Sequence, residues 1–286
     1  MRALLRWVLR GLLVIALLVV ILLAPVGYNE LACRPQGAAQ AYAPLLPAED
    51  HRPESRTLMT YPEWHIVHAY DDYARVITDA DPHDYGFLRG IGGFWSSLCA
   101  LSKASGGHGG VDGGTKQMVY VIGVSFTAEL ALKAAYEETL GRVATWIRGT
   151  DHAAADRISA RQATDYAAFL RQTPWYRWDF RRDAAELQGA GDSFRDWERR
   201  TALGLEYRAK ASYAKAIEAA VAGVGPDALR LRMVVSGLPE GFAAAHPDIT
   251  LIDTRAEGTV IETPRYAALS ALLVEMAGAG VDFVEI

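Results

Sequence analysis

Hydrophobic residues are concentrated near the N-terminus of the chain. Gly11 to Val26 is a run of sixteen residues without a charge, most of them Leu, Val or Ile. Trp7 to Tyr28 extends it to 22 residues with an aromatic residue at each end, as at membrane interfaces, and Arg10 can reach the headgroups. A bilayer span needs roughly 20 apolar residues. The pattern predicts a transmembrane anchor over residues 1–28, in contact with the lipid bilayer through residues 7–28.

Basic residues indicate the direction of this anchor. Three arginines precede or open the span, whereas Arg34 is the only basic residue among the twenty that follow Tyr28. The positive-inside rule predicts a cytoplasmic N-terminus and residues 29–286 outside, hence a single-pass bacterial inner-membrane protein with a periplasmic domain. Two alternatives stay open. Residues 23–32 offer no convincing site for a cleaved signal peptide, and Glu30 stands where a lipoprotein motif ending at Cys33 would have Leu.

The pattern changes twice after the anchor. Residues 29–56 contain four prolines and no periodicity, which predicts an extended linker. Residues 57–226 carry apolar residues three and four positions apart, which predicts a mainly helical domain that begins with Thr60 as a cap and Glu63 three residues later. We expect helices over residues 60–77, 94–104, 115–148 as one helix or two, 156 or 159 to 170, and 192 or 193 to 223 or 225.

Residues 227–286 have a different rhythm. Residues 229–236 alternate between apolar and polar, and residues 249–253 and 259–262 are short β-branched runs separated by a Glu-Gly turn. Helical segments are expected on either side of this pair, with a last strand at residues 281–286. The order β-α-β-β-α-β is that of a ferredoxin-like unit. The predicted fold class is α+β: a transmembrane helix, a helical extracytoplasmic domain and a small C-terminal ferredoxin-like lobe.

Charge and cysteine content narrow the possible partners. The chain has 29 Lys and Arg against 34 Asp and Glu, so there is no overall basic surface for nucleic acid. Cys33 and Cys99 are the two cysteines, and an extracytoplasmic domain can keep a disulfide. They either form a bridge that ties the membrane exit to the domain or remain two unpaired thiols, since the sequence does not give their distance.

One cluster could bind a metal ion. On a helix, His65, His68 and Asp72 fall on the side opposite the apolar residues, and two imidazoles with a carboxylate form a feasible set of metal ligands. The alternative is a solvated polar face, because the spacing matches no closed metal-binding motif. The identity of any cofactor stays unknown from the sequence.

A second cluster combines aromatic and basic residues within residues 173–182. Trp and Tyr suit the headgroup zone and Arg suits anionic lipid, so this run could touch the membrane or a partner protein. The alternative is an aromatic core with arginines outside. The residues concerned are Trp175, Tyr176, Arg177, Trp178, Phe180, Arg181 and Arg182.

Three segments carry a family resemblance: TYPEWHIVHAYDDYA at 60–74, IGVSFTAELALKAAYEETLGR at 122–142 and DWERRTALGLEYRAKASYAKAI at 196–217. They resemble a group of bacterial membrane-anchored proteins of unknown function. The resemblance covers about half of the chain. It implies a membrane anchor, and it implies no activity, cofactor or site.

The favoured function is non-enzymatic: an anchored extracytoplasmic protein that binds a partner protein, such as another membrane protein, or a membrane surface. This hypothesis follows from the anchor, the aromatic and arginine run, and the lack of a closed catalytic motif. The alternative is a metal- or haem-dependent periplasmic enzyme that uses His65, His68 and Asp72. A third hypothesis is a small-molecule binder with a pocket between the two lobes.

Overall fold

The computed structural model describes residues 2–39, 43–47, 49–50, 54–171, 173–221, 230–264 and 267–286. The chain is mostly helical, with an apolar helix at the N-terminus and a small antiparallel sheet at the C-terminus. It forms two compact units. Unit 1 comprises Met1–Gln40 and Pro53–Ile147, and unit 2 comprises Ala41–Arg52 and Arg148–Ile286. The predicted helical region 57–226 therefore contributes to both units.

Unit 1 consists of helices joined by short turns. A π-helical turn at Glu137–Gly141 separates the last two, in the stretch where the sequence predicted one helix or two. The first predicted start is correct within one residue, but Thr60 does not cap the helix with its side chain, since its hydroxyl donates to the carbonyl of Thr57. The helices are α1 (Arg2–Ala32), α2 (Glu54–Leu58), α3 (Tyr61–Asp79), α4 (Phe87–Ala104), α5 (Gly113–Tyr136) and α6 (Arg142–Arg148).

Helix α1 contains the predicted anchor and continues past it to Ala32. Its 31 residues correspond to a length of about 46 Å, more than the roughly 30 Å of a hydrocarbon core. The window that qualifies Leu5–Ala32 as a membrane span has no residue buried inside the protein. Within the described residues, one other stretch, Gly113–Arg148, is long and apolar enough to span, and part of it is buried.

The core of unit 1 is formed by aromatic side chains between α3, α4 and α5. Phe94 on α4 is fully buried, and its ring lies 6.0 Å from that of Phe126 on α5. The two helices approach closely at Gly123, where a Cβ would come within 2.3 Å of the Phe94 ring. Tyr73, Tyr85 and Phe87 form a second group of edge-to-face contacts. These contacts fix the three helices to one another.

The helical part of unit 2 contains α7 (Ala154–Leu170), α8 (Phe180–Gln188) and α9 (Phe194–Val221). They pack through a small core in which Ala155, Leu187 and Leu203 are buried. Helix α7 begins before both predicted starts, Asp156 and Ser159, and Asp156 accepts the backbone N–H of Ala153 at 3.0 Å. The predicted end of α9 at residue 223 or 225 lies outside the described residues.

The four strands of unit 2 are β1 (Arg230–Ser236), β2 (Thr250–Arg255), β3 (Gly258–Pro264) and β4 (Asp282–Glu285). Their order in the sheet is β2-β3-β1-β4, and every neighbouring pair is antiparallel. Helix α10 (Phe242–Ala245) follows β1, and α11 (Ala267–Gly278) lies between β3 and β4 in sequence. Alternate residues of β1 and β3 point to one face, where Met233, Val235 and Ile261 pack with Leu272 and Met276 of α11.

The opposite face of the sheet is covered by residues of the predicted linker. Leu46 is buried against Val234 and Val260, and Leu45 packs beside it. The carboxylate of Glu285 accepts the backbone N–H groups of Leu45 and Leu46 at 2.7 and 3.2 Å. We call residues 43–47 the strap. It joins the sheet to a segment some 240 residues earlier in the chain.

Candidate functional site

The end of the anchor helix is bonded to the rest of unit 1. Asn29, three residues before Ala32, is buried. Its side-chain oxygen accepts a hydrogen bond from the hydroxyl of Ser102 on α4, at 3.2 Å, and lies 3.0 Å from the hydroxyl oxygen of Tyr120 on α5. A single amide therefore ties the last turn of α1 to two helices of the folded domain.

A charged contact reinforces this junction. The carboxylate of Glu30 accepts the Tyr120 hydroxyl at 2.6 Å and the Lys116 ammonium at 3.2 Å. Lys116 and Tyr120 lie one turn apart near the start of α5, so both face the same point on α1. Because hydrogen bonds to charged groups are the stronger ones, Glu30 fixes the start of α5 at the end of the anchor.

Beyond the helix, a covalent bond continues the attachment. Cys33 and Cys99 form a disulfide, one of the two states that the sequence left open. Three residues later, the backbone N–H of Gln36 donates to the carbonyl of Lys103 at 2.8 Å. The chain passes so close to Gly106 that a Cβ there would lie 2.1 Å from the carbonyl oxygen of Gln36. The exit from the anchor is therefore rigidly attached to α4 and α5.

An exposed apolar surface begins at this junction. On α5 and α6, residues three or four positions apart face outward and carry no charge. Leu132 is 72% exposed and Trp146 is 83% exposed. Large apolar side chains that are exposed repeatedly along one face are typical of an interaction surface. We call this surface the α5–α6 stripe; its members are Met118, Val121, Ser125, Ala128, Leu132, Ala135, Thr139, Val143 and Trp146.

Within the described part of the chain, His65, His68 and Asp72 are not a group whose potential ligand atoms all lie within 4.8 Å of one another. His65, His68 and Asp72 are all exposed on α3. Asp72 forms an ion pair with Arg75 at 2.7 Å, and His65 lies beside Gly93 of α4, with its Nδ1 atom 3.2 Å from the position of a Cβ there. The geometry corresponds to the alternative from the sequence, a solvated polar face.

A different group has its ligand atoms closer together. Within the described residues, the potential metal ligands of Asp81, His83 and Asp84 lie within 4.8 Å of one another. Asp84 also accepts the backbone N–H of Asp81 at 3.1 Å, which stabilises the turn at Pro82–Asp84. These residues lie between two of the predicted helices, and the local hydrogen bond accounts for one carboxylate.

The aromatic residues of the run at 173–182 pack inside unit 2. Trp178 donates its Nε1–H to Asp183 at 2.6 Å, and Trp175 stacks on Tyr213 of α9 with ring centroids 5.4 Å apart. Phe180 is buried against Tyr166 and Tyr207. Arg177, Arg181 and Arg182 point outward, and Tyr176 lies edge-on to Trp175. Phe180 is therefore a core residue, whereas Trp175, Tyr176 and Trp178 are half-buried beside the exposed arginines.

Unit 2 contains a buried cluster of charged residues that the sequence did not indicate. Arg195 and Arg199 on α9 are each 1% exposed and lie beside Asp156 on α7. Asp156 accepts Arg195 at 2.9 Å and Arg148 at 3.2 Å, and Glu198 accepts Arg195 at 3.0 Å. The available signal was the spacing of Arg195 and Arg199, which lie four residues apart and would share one face of a helix. Because arginines are exposed in most proteins, this spacing did not indicate a buried pair.

The surroundings of Asp156 favour its charged form. Burial alone would raise the pKa of its carboxyl group, but the charges of Arg195 and Arg199 and the hydrogen bonds from Ala153 and Arg148 outweigh burial. The pKa of Asp156 therefore lies below its ordinary value. The cluster holds α7 and α9 together as paired, hydrogen-bonded charges.

Comparison with known proteins finds no family model, no curated protein and no solved structure that matches the chain.

Proposed function

We propose that the chain is a single-pass membrane protein of the bacterial inner membrane that holds a folded, non-catalytic binding domain against the bilayer. The observation that carries this proposal is α1. An apolar helix long enough to span a bilayer has no buried residue in its apolar window, and its last turn is bonded to α4 and α5. A helix that is apolar all round and uncovered by protein has lipid as its natural solvent.

Two features support a periplasmic domain. The arginines of the anchor lie at its N-terminal side, which favours a cytoplasmic N-terminus. The Cys33–Cys99 disulfide lies just beyond the anchor, and disulfides persist in oxidising compartments such as the periplasm. Both features favour the same orientation.

A binding role is supported by the surface of unit 1. The α5–α6 stripe exposes large apolar side chains outside the anchor, and such surfaces mark protein or membrane interaction sites. The rigid junction keeps this surface at a fixed place relative to the bilayer. A partner in the same membrane would therefore meet it in one orientation.

We further propose that residues 230–286 form a ferredoxin-like lobe. The strand order β2-β3-β1-β4, read from the other edge as β4-β1-β3-β2, and the fully antiparallel pairing support this class. A helix follows β1 and another follows β3, as the β-α-β-β-α-β order requires. An experimental structure with a parallel neighbouring pair would contradict this assignment.

Membrane fractionation with a C-terminal reporter tests the proposed location. The full chain should stay in the membrane pellet after alkaline carbonate extraction, and a reporter that is active only outside the cytoplasm should be active. Leu18→Arg lies in the centre of the span and should release chain into the soluble fraction, because an arginine there costs about 2.5–3.5 kcal/mol. Leu88→Arg, an exposed leucine on α4, is the control and should stay in the pellet.

Wild-type chain in the soluble fraction, or a reporter active only in the cytoplasm, would overturn the proposed location. A shortened chain that begins after residue 28 would instead favour the cleaved signal peptide.

A further inference from the structure

The α5–α6 stripe is continuous over the length of two helices. Its members recur every three or four residues from Met118 to Trp146, which keeps them on one helical face through the π-helical turn. Met118, Val121, Leu132, Val143 and Trp146 are its large apolar members, and each is 45% exposed or more. The other members of the stripe, which are Ser125, Ala128, Ala135 and Thr139, are small and uncharged.

The charged residues of α5 are engaged by other helices: Lys116 bonds Glu30 of α1, and Glu129 and Lys133 contact α3. Glu129 accepts the Tyr70 hydroxyl at 2.6 Å, and the Lys133 ammonium lies 4.6 Å from the centre of the Tyr73 ring. At the edge of the stripe, Arg142 pairs with Glu138 at 2.8 Å. The stripe therefore meets a partner without burying an unpaired charge.

Lipid does not suit the stripe as its main partner. Helix α3, which contacts α5, carries Asp72, Arg75 and Asp79 on its exposed side. If α5 crossed a bilayer, these residues would approach hydrocarbon, at about 2.5–3.5 kcal/mol for each charge near the centre. The stripe suits a protein surface that is itself uncharged and apolar.

We propose that this partner is a second copy of the chain, and that two copies pair in parallel through their α5–α6 stripes. This inference rests on the proposed anchoring in a membrane. Because Glu30 bonds Lys116 and Tyr120, the stripe begins at the end of the anchor in every copy. In two copies anchored in one bilayer, the stripes therefore begin at the same distance from the bilayer and run in the same direction relative to it.

A parallel pair of this kind has two-fold symmetry. The axis is perpendicular to the bilayer, and residues on the centre line of the stripe face their own counterparts. Leu132 is midway along the stripe and would face Leu132 of the second copy. An uncharged surface is self-complementary in this arrangement because no like charges meet.

The size of the stripe fits a stable dimer. The 28 residue steps between Met118 and Trp146 correspond to about 42 Å of helix. The outward half of a helix of about 11 Å diameter and this length offers on the order of 700 Å². Standard protein interfaces bury roughly 800 Å² per partner. The stripe alone supplies most of that area.

Cysteine cross-linking in membranes tests the pairing. Leu132→Cys in the full chain should give a disulfide-linked dimer under mild oxidation, because the two thiols meet at the axis. Leu88→Cys is the matched control, since Leu88 is a leucine of unit 1 with similar exposure, 77% against 72%, outside the stripe. It should give at least fivefold less dimer. Equal cross-linking of the two variants would overturn the proposal.

Opposite charges give a second test that does not depend on cysteine. Leu132→Glu and Leu132→Lys should each reduce co-purification of two differently tagged copies at least tenfold, since like charges meet at the axis. Co-expression of a Glu copy with a Lys copy should restore it. Leu88→Glu should have no effect, and retention of the Cys33–Cys99 disulfide checks that each variant folds. Undiminished pairing by both single variants would overturn the proposal.

The failure of this inference differs from the failure of the proposed function. Chain that pellets with membranes but shows no Leu132→Cys dimer contradicts the dimer alone. A cross-link from Leu132→Cys to a different protein, with no dimer, also contradicts it. Chain recovered in the soluble fraction contradicts the anchor itself.

Discussion

Asp156 is the residue at which burial and charge oppose each other most directly. Its carboxylate is nearly inaccessible, yet it accepts hydrogen bonds from two arginines and a backbone N–H. Breaking a buried, paired charge costs about 3–5 kcal/mol because the partner charges remain without compensation. Arg148 and Arg195 would each lose this partner, although Arg195 would keep Glu198.

Asp156→Asn should lower the free energy of unfolding at pH 7 by about 3–5 kcal/mol, measured by urea denaturation. The folded-state pKa of Asp156 lies below its ordinary value, so its stabilisation is present above the ordinary pKa of about 3.9 and is lost as the pH falls through the folded pKa. The difference between variant and wild type should therefore shrink in acid. Asp165→Asn, an exposed aspartate on the same helix, is the control. A difference that grows in acid would contradict the argument.

The sequence could not identify such residues. Asp156 stood out only as a possible helix start, and Arg195 and Arg199 looked like ordinary surface arginines. Burial of a charge depends on residues 39 positions away in the chain, which no local pattern reports. His65, His68 and Asp72 show the reverse case: all three are exposed on α3, and exposure depends on what packs against that helix rather than on its own periodicity.

At the scale of elements, apolar spacing predicted the long helices of the two units but not the short helices α2 and α8, and glycines displaced the predicted start of α4. Helix α4 begins at Phe87, seven residues before the predicted start. Gly90 and Gly93 made this part look unfavourable for a helix. In the structure they leave room for neighbours: a Cβ at Gly90 would lie 3.0 Å from the Tyr85 hydroxyl, and one at Gly93 would lie 3.2 Å from His65. Tertiary packing overrides the intrinsic propensity here.

The close approach of α4 and α5 at Gly123 can be tested by comparing an alanine substitution there with one at an exposed glycine of α4. Gly123→Ala adds a Cβ within 2.3 Å of the buried Phe94 ring, so it should destabilise the protein by about 1–3 kcal/mol. Gly92→Ala, on exposed helix with nothing within 4 Å, should stabilise it by about 0.5–1 kcal/mol. Thermal unfolding of the two variants measures the difference. Equal effects would show that the packing between the helices is loose.

At the scale of the whole molecule, the sequence indicated an apolar anchor, a helical region and a C-terminal α/β lobe. It did not indicate that the helical region is divided between two units after Ile147. Nor did it indicate that the strap belongs to the sheet. The prolines near Leu45 and Leu46 suggested a linker, and the contact with β1 and β3 spans most of the chain. Contacts between distant segments leave no periodic pattern.

The strap can be tested through its carboxylate. Glu285→Ala removes the acceptor of two backbone N–H groups, which should cost about 1–3 kcal/mol locally. Amide hydrogen exchange at Leu45 and Leu46 should then be faster by about fivefold or more, since 1.4 kcal/mol corresponds to a factor of ten. Glu257→Ala, at the exposed β2–β3 turn, is the control and should leave these amides unchanged. Unchanged exchange in Glu285→Ala would show that the leucine side chains alone hold the strap.

Because the end of α1 is bonded to α4 and α5, a change in the tilt of α1 would move unit 1 with it. Transmembrane helices respond to bilayer thickness by changing their tilt. A flexible stalk would absorb such a change, whereas Asn29, Glu30 and Cys33 transmit it to α4 and α5. A tilt change of about 10° moves a point 30 Å from the pivot by roughly 5 Å, within the ordinary range of helix tilt. With the anchoring proposed above, the thickness of the surrounding lipid would be converted into the position of the surface of unit 1.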